Sequence, residues 1–297
     1  MPLRKSILVT LLLALLTAGA LSAQPAAPPS HWTDSYVMAN GIRIHYWRTG
    51  GDKPPLIMAH GSSDDGLCWT NLAIELQGGF DIILPDARGH GLTDPYTAAD
   101  PVDVQAEDLA GLIRELKLEN PVLMGHSMGS SAVAMFAAKY PDVPRAVVLE
   151  DPGLVRRRRP GAAYDAEEAR AKRRAQIIER NQMSPGEIVA ICMKNTPNWG
   201  LSECQFWAPS KRRHHPSTTL RRLGERPPMT ELLPQITAPT LILKADAEAE
   251  LQERNEEVAS LLPNGKIVHI EGAGHNVRRD QKQRLLDVLK PFLAGLE

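Results

Sequence analysis

The chain has 297 residues, with 34 Lys and Arg against 35 Asp and Glu, a formal net charge of −1, and an apolar fraction of 43%. That balance is ordinary for a soluble globule and excludes a global electrostatic pull toward nucleic acid. Three cysteines are too few for a disulfide framework, and no Cys/His spacing suggests a metal site.

Residues 1–23 place Arg4 and Lys5 before an apolar run from Ile7 to Leu21 and finish Leu21-Ser22-Ala23. A charged start, a short apolar core and a small-residue cleavage site read as a secretory signal. The run is shorter than the ~20 residues a membrane span needs, so no stable anchor is expected once it is removed. The mature protein is expected to be secreted or periplasmic. Residues 24–33 read as a flexible lead-in, with the first part of a core domain at 34–152.

Next comes YVMANGIRIHYWR, where Asn40-Gly41 between alternating runs predicts a hairpin. LIMAH (56–60), DIILPD (81–86), VLMGH (122–126), AVVLED (146–151), TLILKA (240–245) and KIVHI (266–270) are short apolar runs bounded by turn residues. They predict buried strands of a parallel sheet. Between them lie helical stretches. Pro101 to Leu118 has Asp100 as its expected cap and Val102, Leu109, Leu112, Ile113 and Leu116 on one face, and Leu285 to Phe292 closes the chain. Strands alternating with helices argue for an α/β, doubly wound sheet with helices on both faces.

The interval from 153 to 233 is far longer than a crossover requires, and it reads as an inserted helical lid, with the core resuming over 234–297. Ser184-Pro185-Gly186-Glu187 predicts a capped helix within it. Between residues 153 and 226 there are 16 Lys and Arg against 7 Asp and Glu. RRRRP (156–160) and KRRHH (211–215) raise an anionic partner as a reading, beside the simpler one of a solvated helix face. Cys192 and Cys204 are close enough to pair in an oxidising compartment, leaving Cys68 alone.

The stretch VLMGHSMGSS holds Ser127 between Gly125 and Gly129, after an apolar strand and before a helical run. A sharp strand-to-helix turn strains the central residue and leaves no room for flanking side chains, so it needs glycine there and lifts one hydroxyl above the sheet edge. Serine is a poor nucleophile without a base. His275, in EGAGHN directly after the KIVHI strand, is the candidate, and its loop opens at the same edge. HGSSDDG begins where LIMA ends, so the amide of Ser62 can join that of Met128, just after the serine, as an oxyanion hole.

HGSSDD, DARGHG, GHSMGS and GAGHN together resemble the motifs of the α/β-hydrolase superfamily, over most of the mature chain. The resemblance implies a mainly parallel sheet with a lid inserted after the sixth strand. It also implies a Ser-His-acid triad for acyl transfer, on Ser127 and His275, with the amides of Ser62 and Met128 and no cofactor. The acid is the contested member. Relatives place it in a segment shaped like PTLLIxGxxD; here PTLILKADAE puts Glu248 in that position, with Asp246 out of step. The superfamily's other position is the end of the sixth strand, where LEDPG offers Asp151. Asp151 is favoured, because an aspartate at a strand end is held more rigidly than a glutamate in AEAEL. Glu248 and Asp246 stay as alternatives, and a helix cap at the lid entry is the other reading of Asp151.

The expected activity is hydrolysis of a small, apolar carboxylic ester or lactone, with Trp199 and Trp207 of the lid as weak candidates to line the substrate cavity; packing under the lid is their alternative. Dehalogenases and epoxide hydrolases of this fold resemble the chain but use aspartate where Ser127 stands. Cofactor-free perhydrolysis of the haloperoxidase type, carbon–carbon bond hydrolysis, and a non-catalytic ligand-binding role are the other readings.

Overall fold

The structure is a computed structural model that describes residues 26–155, 167–221 and 226–296. The signal segment 1–23 and the arginine run 156–159 lie outside the described residues. Eight strands form one sheet: β1 (Thr33–Ala39), β2 (Ile42–Arg48), β3 (Pro55–Ala59), β4 (Asp81–Pro85), β5 (Val122–His126), β6 (Ala146–Glu150), β7 (Thr240–Ala245) and β8 (Gly265–Ile270). Their spatial order is β1-β2-β4-β3-β5-β6-β7-β8. The β1–β2 and β2–β4 pairs are antiparallel and every later pair is parallel.

The hairpin closes where expected, with Ala39 opposite Ile42 and both turn residues at positive φ, 47° at Asn40 and 74° at Gly41. Asn and Gly tolerate that left-handed pair of conformations, which matches the twist of the flanking strands.

Both sheet faces are covered. Along β3, Leu56 and Met58 face one apolar cluster while Ile57 and Ala59 face the other. The same alternation runs through β5, where Val122 and Met124 oppose Leu123. A strand buried on both faces therefore reads as a continuous apolar run, and the period of 2 appears only in which core each residue enters. One core takes Leu109 and Leu112 of helix α2 (Val104–Glu115) and Val133 and Phe136 of α3 (Met128–Lys139). The other takes Leu72 of α1 (Thr70–Leu76) and the Leu285, Leu289 and Leu293 stripe that ends the chain. Each such leucine contributes on the order of 1.5–3 kcal/mol through removal from water.

Three boundaries differ from the sequence reading, two of them in the first part of the core. The lead-in is anchored before residue 33: Trp32 is buried and its indole donates to Gln77 at 2.9 Å. Helix α2 begins at Val104, and Asp100 does not cap it. The Asp100 carboxylate accepts instead from the Thr97 amide at 3.0 Å and hydroxyl at 2.9 Å, and it pairs with Arg88 at 3.3 Å. A local turn has taken the side chain that would have served the helix.

After β6 the lid supplies α4 (Glu167–Gln182), α5 (Pro185–Asn195) and α6 (Gly200–Arg212). Ser184 caps α5 as predicted, its hydroxyl accepting from the Glu187 amide while Glu187 accepts from the Ser184 amide. Cys192 and Cys204 form a disulfide between α5 and α6, with Cα atoms 5.6 Å apart, amid Ile188, Val189 and Ala208. Cys68 is free and buried. The chain is back on the core by α7 (Met229–Leu232), somewhat before residue 234, since Met229 and Leu232 pack in the α3 cluster. The remaining helices are α8 (Ala249–Ala259), α9 (Val277–Asp280) and α10 (Lys282–Ala294).

Candidate active site

Ser127 stands between β5 and α3 with φ 51° and ψ −105°, a conformation costly for a side-chain-bearing residue. The two glycines make that turn possible. A Cβ on Gly125 would lie 2.4 Å from the Gly129 carbonyl oxygen, and one on Gly129 would lie 2.1 Å from that of Ala59. Neither neighbour is a flexible side chain that can yield. Strand β5, helix α3 and strand β3 therefore close on backbone alone, and the Ser127 hydroxyl is left at the sheet's C-terminal edge.

His275 reaches it from the loop after β8. The Ser127 hydroxyl donates to His275 Nε2 at 2.9 Å, and His275 Nδ1 donates to Asp151 Oδ2 at 2.5 Å. The loop is fixed by its backbone. The His275 carbonyl accepts from His126 Nε2 at 2.8 Å, and the Gly274 amide donates to Asp280 at 2.9 Å. Burial holds the His126 imidazole far below its usual titration range, so it is neutral and donates one hydrogen bond here.

Of the three candidate acids, Asp151 is the one brought to His275. It is buried at the end of β6, its amide donates to the Leu243 carbonyl at 2.8 Å, and its φ is 41°. Glu248 is exposed at the N-terminus of α8. Asp246 lies on the same cleft wall, but its carboxylate accepts from the amides of Ala247 at 2.9 Å and Gly272 at 2.8 Å. Burial pushes the Asp151 carboxyl up, but the hydrogen bond from His275 and the charge of Lys244 outweigh it and draw it down to about 2. The hydrogen bond and the ammonium thus favour the anionic form of Asp151.

Ser127, Asp151 and His275 open on a cleft of about 740 Å³, with Ser62 and Met128 on its wall. Ser62 is exposed and follows Gly61, where a Cβ would meet the His126 ring at 2.5 Å. Two of the sequence candidates are elsewhere. Trp199 and Trp207 pack against the disulfide core of the lid, away from the cleft wall. The Trp199 indole donates to Asp280 at 2.6 Å beneath Arg279, and the Trp207 ring carries the Lys211 ammonium at 4.4 Å from its centroid. The wall is instead mixed. Leu154, Val155 and Leu251 line it together with Arg221, Arg226, Lys244 and Asn255.

Sequence reading missed the buried charges that tie these loops together. Glu150, one residue before Asp151, is fully buried and pairs with Arg278, three residues after His275, at 3.0 Å. It also accepts from the Arg278 amide at 2.9 Å, and the guanidinium lies 4.0 Å from the centre of the Trp69 ring. Beside it, Asp64 of the HGSSDDG loop pairs with Arg279 at 3.0 Å and Lys211 at 2.6 Å. Lys211 thus belongs to this junction and leaves the solvated face expected for KRRHH. The available signal was weak: Glu150 is a charge at the end of a fully apolar strand. Among the described residues, no group of three or more His, Cys, Asp and Glu side chains is placed to hold a metal ion.

Comparison with known proteins places this geometry. Residues 56–288 match the Alpha/beta hydrolase family. The chain is 28% identical over 261 residues to 2-(acetamidomethylene)succinate hydrolase of Mesorhizobium japonicum, covering 83% of this chain and 90% of that protein. It is 26% identical over 262 residues to N-formylmaleamate deformylase of Pseudomonas putida, covering 86% and 95%. Among solved structures, a thermophilic esterase from Thermogutta terrifontis, with malate bound, superposes with a TM-score of 0.66 at 26% identity, covering 89% of this chain and 99% of that one. With the serine turn, the sheet order and the insertion after β6 in place, the chain belongs to the alpha/beta hydrolase family, whose named relatives here are hydrolases.

Proposed function

We propose that this protein is an exported serine hydrolase that cleaves a small carboxylic ester or lactone through an acyl-enzyme. The observation that carries the reading is the relay of contacts from Ser127 through His275 to Asp151 at the mouth of one cleft. In this scheme His275 Nε2 takes the Ser127 proton as the oxygen attacks the carbonyl carbon, and Asp151 holds the tautomer and stabilises the imidazolium. The Ser62 and Met128 amides receive the oxyanion of the tetrahedral intermediate. In comparable sites one such donor is worth roughly 10²–10³ in rate. His275 then protonates the leaving alcohol, and water repeats the sequence to free the acid. The amino-terminal leader supports export, and no cofactor enters the scheme.

A second reading, hydrolysis of a carbon–nitrogen acyl bond in a small acid, uses the same steps with an amine as leaving group. The walls favour it, since Arg221 and Arg226 suit an anionic substrate better than a purely apolar one. It also agrees with relatives named for acting on a succinate and a maleamate.

The test is turnover of nitrophenyl esters of rising acyl length, several lactones, and N-acyl derivatives of small dicarboxylic acids, with wild type and Ser127→Ala side by side. Ester or lactone turnover that falls by at least about 10³-fold in the variant supports the first reading. Turnover confined to the amides moves the assignment to the second. Activity that survives Ser127→Ala contradicts both.

A further inference from the structure

We propose that Lys244, at the end of β7, is a positioning residue that seats Asp151 against His275 and shares its negative charge. The inference rests on the triad reading above. Each oxygen of the Asp151 carboxylate has its own partner: Oδ2 accepts from His275, while Oδ1 accepts from the Lys244 ammonium and from the Ala245 amide at 3.2 Å. The same ammonium donates to the Pro152 carbonyl at 2.9 Å. One side chain therefore grips both the carboxylate and the backbone just beyond it.

The grip matters because Asp151 sits at φ 41°, a backbone conformation that a non-glycine residue keeps only when its surroundings impose it. The Lys244 side chain is 13% exposed and lies on the cleft wall, so its charge is little screened from the carboxylate. Here β7 contributes a cation to the site, and the acid arrives from β6.

The charge has a second effect. During turnover Asp151 must stabilise an imidazolium, and an ammonium on its other oxygen opposes that. With Lys244 neutralised, the imidazolium formed in turnover meets the full field of the carboxylate, which favours the charged form of the pair. The other groups around His275 are His126 beside it, Asp246 on the β7 loop, His269 on β8, Arg278, Arg279 and Asp280 after it, and Arg221 and Arg226 across the cleft. His126 is held neutral by burial, and burial and Lys244 lower His269. Changing Lys244 leaves these groups in position but lifts its own charge from His269, which is not in hydrogen-bond contact with the Ser127–His275–Asp151 relay.

The experiment is the pH profile of kcat and kcat/KM for wild type, Lys244→Met and Lys244→Cys, the last before and after alkylation with 2-bromoethylamine, which restores an ammonium on a chain of similar length. Folding is checked by circular dichroism, and Ser127→Ala is run alongside. The expected result for Lys244→Met is a kcat about ten-fold lower with KM little changed, and an acidic limb raised by about one pH unit. The cysteine variant should behave likewise, and aminoethylation should return both values toward wild type. Wild-type kcat and profile in both folded variants, or an acidic limb that moves down, overturns the proposal. If Ser127→Ala also keeps activity, the triad reading itself has failed, and that outcome is distinguishable from a failure at Lys244.

Discussion

The three proposed catalytic side chains owe their meeting to strained backbone at two of them. Ser127 and Asp151 both have positive φ, at 51° and 41°, and each stands directly after a buried strand. Strand ends are rigid, so a sharp exit aims a side chain with less freedom than a loop allows. This is why the aspartate of LEDPG is the carboxylate that meets His275, and the proposed acid. Glu248, in the position that the family pattern pointed to, is exposed and starts a helix. The expected outcome is that Asp151→Asn lowers kcat by roughly 10³–10⁴-fold, since an amide leaves His275 in the wrong tautomer or without its anion. Glu248→Gln should stay within about two-fold of wild type, because surface changes away from a site carry little energy. Equal losses in both, or a loss only in Glu248→Gln, would move the acid. With Asp151 drawn down to about 2, the sign of its linkage is that of a depressed acid. Its stabilising contribution is complete above its unfolded pKa of about 3.9 and is lost as pH falls through about 2, so neutral-pH activity is not limited by its protonation.

At the scale of elements, the strands were legible because a parallel strand covered on both faces is an apolar run between turn residues, and six such runs became β3 to β8 within a residue at either end. The hairpin was legible from Asn40-Gly41 and α5 from its capping box. What sequence pattern does not encode is competition for a side chain, as at Asp100, or the partner of a charge distant in sequence. Lys211 illustrates the second. In KRRHH it reads as one cation of a solvated run, yet it is 1% exposed and donates to the Ser63 carbonyl at 2.6 Å, the Ser63 hydroxyl at 3.1 Å and Asp64 at 2.6 Å. Through it α6 of the lid grips the loop that presents Ser62. Lys211→Met leaves the buried Asp64 carboxylate with Arg279 and Arg278 but one cation fewer, so the fold loses stability. We expect a lower melting temperature together with a fall in kcat larger than any rise in KM, measured by thermal unfolding and steady-state kinetics. Unchanged stability and kcat would mean that the lid and this loop are not coupled.

For the whole molecule, one sheet edge gathers everything the proposed chemistry uses. The loops after β3, β5, β6, β7 and β8 supply Ser62, Ser127 with Met128, Asp151, Asp246 and His275 to a single cleft, and the insertion after β6 adds Arg221 and Arg226. Parallel strands put their C-terminal ends on one side, so residues far apart in sequence converge there without any local signal of contact. The motifs disclosed which residues would converge. The buried pairs Glu150–Arg278 and Asp64–Arg279, which fasten the loops carrying Asp151, His275 and Ser62 to one another, became visible only in three dimensions. The proposed chemistry stands on Ser127 as the nucleophile, activated by His275. The most direct measurement is intact-protein and peptide mass spectrometry after exposure to a fluorophosphonate, which phosphonylates an activated serine with loss of fluoride. One adduct is expected, on the peptide containing Ser127, that is lost in Ser127→Ala and slowed severely in His275→Ala. No adduct on folded wild-type protein, or an adduct on another residue, would contradict that role for Ser127.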